Sequence, residues 1–287
     1  MTDAPQADLQ SALGWDWTSL LREAGYVAGP HLAKMVSLAC AMQRPILLEG
    51  PAGVGKTSLA TALAQVLQRQ LVRLQCYEGI TATQALYEWN YHKQFASLTI
   101  DKSADVFTSE YLMERPLMRA LQHPSVLLID EIDRADEGFE ALLLEFLGEY
   151  TISVPEWKTV TGETPPLVLL TSNRTRPLSD ALRRRCLFYR FDWPEESQEK
   201  EIVLQHVRQL TAQEVEPVIR AVRKMRTWNL IKPPGVAESI DWAKAQSLEP
   251  MSWSLEWATE TIGCVIKDVL DMEVVMKRLT EIFSGET

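Results

Sequence analysis

Lys56 and Thr57 close the run Gly50-Pro51-Ala52-Gly53-Val54-Gly55-Lys56-Thr57, which fits G-x-x-x-x-G-K-[ST] without deviation. Glycines let the backbone curl until successive N–H groups and the start of a following helix face phosphate oxygens. Lys56 then supplies a point charge at the β- and γ-phosphates, and Thr57 offers its hydroxyl to Mg²⁺. Ser58 completes the candidate cradle. Further along, "SVLLIDEIDRADEGFEALLLEFLGEY" (Ser125 to Tyr150) carries two adjacent carboxylates, Asp130 and Glu131. Beside a phosphate cradle Asp130 would hold Mg²⁺ through its water shell, and Glu131 would polarise an attacking water as general base. The bland alternative is an acidic helix start complementing the dipole. Asn173 could orient the same water from the opposite side, or be a plain turn residue. Arg183, Arg184 and Arg185 form a basic triplet able to offset charge on a transferring phosphate, or to lie solvated on the surface.

These side chains need a particular set of elements behind them. Ile46 to Leu48, Val126 to Ile129 and Leu167 to Leu170 are continuous apolar runs of strand length, the pattern of parallel strands covered on both faces. The second runs straight into Asp130, the first ends one residue short of Gly50, and the third two residues short of Asn173. After Lys56 the period becomes helical, with Leu59, Leu63 and Leu67 on one stripe. Ser179-Asp180 can cap a short helix that carries the arginines into a last strand, Cys186 to Phe191. If that helix points away from its own cradle, the triplet can reach only a neighbouring subunit's nucleotide. Past Pro194 the chain reads as amphipathic helices separated by Pro and Gly.

In this order of parts, with "GPAGVGKT", "YEWNY", "ERPLMRAL", "TSNRTR" and "ALRRRCLFYR", the sequence resembles the AAA+ ATPases, and within them the MoxR branch and its CoxD-like subgroup. The resemblance runs from Tyr26 onward. It implies an α/β fold: a three-layer αβα P-loop core with a five-stranded parallel sheet in the order 5-1-4-3-2, and a small α-helical lid. The divisions are then an N-terminal extension (1–25), the core (26–193) and the lid (194–287). It also implies a helix-2 insert at about 76–114 and a hairpin at about 150–166 ahead of the sensor Asn. Tyr26 and Val27 fall where such proteins line the adenine pocket. Arg185 matches the arginine finger best, with Arg183 and Arg184 as close alternatives. The implied cofactors are ATP and Mg²⁺. The implied assembly is a homo-oligomeric ring, usually hexameric, with a von Willebrand factor A domain partner and a client enzyme, matured or loaded with a metal cofactor. One departure stands out: "IKPPGVAESIDW" lacks the Arg that many relatives place at the start of the third lid helix, leaving Lys232 as the substitute.

Composition narrows the alternatives. The 287 residues are 46% hydrophobic and 24% charged, enough apolar surface for a real core. Cys40, Cys76, Cys186 and Cys264 are scattered, without the spacing of a zinc site or a disulfide framework. No apolar run approaches the roughly 20 residues needed to span a bilayer. "MTDAPQADLQ" lacks the features of a signal peptide, so a cytoplasmic location is expected. A net charge of −10 argues against a nonspecific nucleic-acid binder. A nucleic-acid motor would want a basic hairpin, yet Tyr150 to Pro166 holds one Lys against two Glu. A small-molecule kinase would have no need of Glu131. In the insert, Tyr87, Trp89 and Tyr91 alternate with polar residues and would share one face of an extended chain.

Overall fold

A computed structural model describes residues 9–155, 157–162, 164–248 and 253–283. Contacts divide the chain into two units, Met1–Gly50 with Lys56–Arg190, and Pro51–Gly55 with Phe191–Thr287.

The first unit is built on a five-stranded parallel sheet. Its strands are β1 (Ile46–Glu49), β2 (Gln70–Gln75), β3 (Ser125–Asp130), β4 (Leu167–Ser172) and β5 (Leu187–Arg190), ordered β2-β3-β4-β1-β5. Every residue of β1, β3 and β4 is buried, which is why these strands read as unbroken apolar runs. The outer strands alternate instead, as edges half exposed to water do. Register aligns the strand ends: Glu49 pairs with Ser172, and Gln75 with Asp130. Polar residues thus gather at the carboxyl edge of an apolar sheet, where open α/β sheets bind ligands.

Helices α1 (Pro30–Met42), α2 (Lys56–Val66), α3 (Glu137–Glu149) and α4 (Asp180–Arg185) belong to this unit. The stripe Leu59, Leu63 and Leu67 is fully buried. Asp136 caps α3 by accepting the Phe139 N–H at 2.8 Å, and Ser179 caps α4 through Leu182. In the insert, Tyr87–Trp89 pairs antiparallel with Leu112–Glu114. Trp89 is buried edge-on to Phe107, at 5.4 Å between ring centres. Tyr91 does not continue that face. The Asn90 side chain accepts the Lys93 N–H at 3.0 Å and starts the helix Tyr91–Ile100, which leaves Tyr91 exposed. A second hairpin pairs Thr151–Ser153 with Thr159–Thr161.

The second unit is helical: α5 (Glu196–His206), α6 (Ala212–Arg226), α7 (Val236–Leu248), α8 (Leu255–Thr261) and α9 (Val269–Arg278). Val203, Val218, Ile219, Val222, Trp242, Trp257 and Val275 form its core, with Trp242 stacked on Trp257 at 5.9 Å. Glu199, fully buried, receives both arms of Arg226 at 2.6 and 2.7 Å and the Ser239 hydroxyl at 2.6 Å, joining α5, α6 and α7. The Gly53 carbonyl accepts the Val236 N–H at 3.1 Å. A Cβ built on Gly235 would fall 2.9 Å from the Gly53 Cα, closer than backbone permits, so position 235 requires glycine. Among the described residues no helix is long and apolar enough to cross a membrane.

Candidate active site

The run from Gly50 to Thr57 leaves β1 and enters α2. Gly50 still donates its N–H to the Ser172 carbonyl at 3.2 Å. Gly53 and Gly55 take φ values of 76° and 90°, in the region that favours glycine, and this curls the segment. Lys56 opens α2 and is 7% exposed. Its ammonium donates to the Gly50 carbonyl at 2.7 Å and to Asn173 Oδ1 at 2.8 Å. Burial pushes its pKa down, opposed by the negative charges of Asp133, Asp130 and Glu131. Thr57 Oγ1 lies 3.4 Å from both Asp130 carboxylate oxygens, and Ser58 beside it is exposed.

Asp130 ends β3 and is nearly inaccessible to water. Thr171 on β4 donates to its Oδ1 at 2.5 Å, and the Arg73 guanidinium on β2 lies 2.5 Å from its Oδ2. The same Thr171 oxygen accepts the Glu131 N–H at 2.9 Å, so one hydroxyl fixes both carboxylate residues. Glu131 stands in the left-handed region at φ 55°. Its Oε2 receives the Gln75 amide and the Arg134 guanidinium, each at 3.0 Å.

Asn173 follows β4 directly. Its N–H donates to the buried Asp133 at 3.2 Å, and Asp133 also holds Thr175 through N–H and hydroxyl at 2.8 and 2.7 Å. Lys56, Thr57, Asp130, Glu131 and Asn173 are thus brought together at the ends of β3 and β4. A carboxylate and a hydroxyl facing one another are hard oxygen donors. They fit a Mg²⁺ ion that takes its remaining ligands from water and phosphate.

The arginines part company. Arg183 pairs with the buried Glu49 at 3.1 Å and stacks over Phe188. Glu49, at the end of β1, also holds Arg174 at 2.8 Å. Arg185 donates to the Leu147 carbonyl at 3.3 Å. Arg184 is exposed, and no residue described engages its guanidinium, while its carbonyl accepts from Arg44 at 2.7 Å. Tyr26 is half-buried and Val27 buried. The shielding of the phenol raises the Tyr26 pKa, with Tyr189 adding to it. Lys232, in the helical unit, is paired with Asp268 at 3.2 Å.

Sequence reading missed Arg73, Gln75, Thr171, Asp133 and Glu49. Glu49 alone carried a signal, as an acid closing an apolar strand. Arg73 and Gln75 look like the outward positions of any edge strand.

Residues 45–186 match the family AAA domain (dynein-related subfamily). Over that span the chain carries an AAA+ domain, consistent with a MoxR-family ATPase. Relatives include gas vesicle ATPase GvpN1 of Halobacterium salinarum, 28% identical over 64% of this chain and 56% of that one. Protein NorQ of Paracoccus denitrificans is 25% identical over 58% of each. Denitrification regulatory protein NirQ of Pseudomonas aeruginosa is 25% identical over 62% of this chain and 66% of its own. The chain spans little more than half the length of the first two. Among solved structures, the Thermotoga maritima RuvB Holliday junction branch migration motor aligns at TM-score 0.44 and 19% identity, over 94% of this chain and 68% of that one. The P-loop and the strand order place this AAA+ core without help from that alignment.

Proposed function

We propose that the chain binds ATP with Mg²⁺ and hydrolyses it, and that it works as a chaperone-like ring ATPase. The observation that supports this most is the convergence of Lys56, Asp130, Glu131 and Asn173, with Lys56 and Asn173 joined at 2.8 Å. Lys56 and the curled Gly50–Gly55 backbone would bind the phosphates. Thr57 and Asp130 would hold Mg²⁺, which screens negative charge on the phosphates. Glu131 would accept a proton from water while Asn173 orients that water. Tyr26 and Val27 would flank the base. Similarity to GvpN1, a gas vesicle ATPase, supports the activity class.

Resemblance to the CoxD-like subgroup supports a cytoplasmic hexamer that remodels a client enzyme, by metal-cofactor insertion, alongside a von Willebrand factor A domain partner. Lys158, the one basic residue of 150–166, lies 4.4 Å over the Trp157 ring, which leaves little on that hairpin for a nucleic-acid backbone. The decisive experiment is Glu131→Gln. It should keep ATP binding within about threefold while phosphate release falls about 10²- to 10⁴-fold, the range for loss of a general base. Unchanged steady-state release would remove the assignment, and release strictly dependent on a small-molecule acceptor would replace the hydrolase with a kinase.

A further inference from the structure

Arg73 belongs to an edge strand, yet its guanidinium does not face open water alone. It lies 2.5 Å from Asp130 Oδ2 and 2.6 Å from Gln75 Oε1. The two members of this ion pair are unequally placed, since the side chain of Arg73 is 53% exposed and that of Asp130 only 6%. A carboxylate so shielded is costly to leave without a counter-charge. An arginine already half in water can leave at little cost, because its hydration is mostly in place. The other cations of this corner are engaged elsewhere: the Lys56 ammonium donates to Gly50 and Asn173, and Arg134 pairs with Glu131. Arg73 therefore holds Asp130 Oδ2, an oxygen that Thr57 also approaches at 3.4 Å and that, on the nucleotide reading above, Mg²⁺ would draw on.

We infer that Arg73 is the resident counter-cation of Asp130 and that it must yield this carboxylate before Mg²⁺ is held, so that Arg73 sets the Mg²⁺ concentration at which nucleotide is retained. A fixed cation 2.5 Å from the carboxylate competes both by charge and by taking its lone pairs. Gln75 keeps the guanidinium from drifting away and so sharpens the competition.

The test rests on binding, not turnover. A fluorescent ADP analogue is titrated with Mg²⁺ at fixed ionic strength on the full chain, on Arg73→Met and on Arg73→Lys. The Mg²⁺ midpoint should fall about tenfold in Arg73→Met, and stay within about threefold of the parent in Arg73→Lys, which keeps the charge. A midpoint in Arg73→Met within twofold of the parent, or above it, overturns the inference. So does an equal fall in both variants, because charge would then not be the cause. If Arg73→Met does not fold, Arg73→Gln is read by the same criterion. A parent chain that binds no ADP at any Mg²⁺ concentration removes the nucleotide site itself, and this inference with it. Nucleotide retained with unshifted midpoints removes this inference alone.

Discussion

Cys40, Cys76 and Cys186 are buried thiols, each pushed up to about 12 by burial, with Asp130 adding to the effect at Cys76. Unfolded thiols ionise near about 8.5. The native chain therefore keeps these protons longer than the unfolded chain, so the stability they contribute is complete below about 8.5 and is lost as pH rises through about 12. Lys56 acts in the opposite sense, because burial lowers its pKa, but it is one group against three. The urea midpoint should fall steadily from about pH 8.5 to pH 10.5. A level or rising midpoint over that window would contradict the balance. At this scale the P-loop was legible because backbone geometry dictates its glycines and phosphate charge dictates its lysine. The supporting residues were not. Thr171 and Asp133 act through hydrogen bonds to residues about forty positions away, and no local spacing encodes those.

At the scale of elements, the lid rests on more than its amphipathic helices. Glu199 sits in the run "EESQEKEIV", which reads as a solvated acidic stretch, yet it is the buried post to which Arg226 and Ser239 are tied. Removing its charge by Glu199→Gln leaves Arg226, whose side chain is 6% exposed, without a counter-charge. Breaking one side of such a pair costs about 3–5 kcal/mol. Glu216→Gln, which loses the outer pairs to Lys200 and Arg220, should leave stability close to the parent's, because solvent screens exposed pairs. Chemical denaturation of the two variants checks the contrast, and equal losses would refute it. The central strands β1, β3 and β4 were legible from their apolar runs, because full burial leaves no alternation to confuse with a helix, whereas the half-exposed edge strand β2 was not. The end of the insert's strand was not, since Asn90 turns the chain into a helix through a single capping bond.

The whole molecule raises the question of where the arginine triplet works. Arg183 is committed to Glu49 and Arg185 to a backbone carbonyl, whereas Arg184 points its charge at solvent. If the active centre is shared between copies, replacing the acting arginine, tested as Arg184→Ala and Arg185→Ala, should lower phosphate release about a thousandfold with nucleotide affinity nearly unchanged. Mixing that variant with a Lys56→Ala chain should then restore part of the activity. One defective chain supplies the arginine and the other the phosphate site. No recovery at any ratio would argue for an arginine acting within its own chain.

Glu131 combines a carboxylate with a left-handed backbone, a conformation that burdens a side-chain-bearing residue by about 1–2 kcal/mol and glycine hardly at all. If Glu131 is the general base proposed above, selection for heat tolerance and selection for turnover should pull this position toward opposite residues. A Glu131→Gly chain is expected to melt higher than its parent while releasing no phosphate, so a thermal screen run without an activity assay would reward the loss of the enzyme.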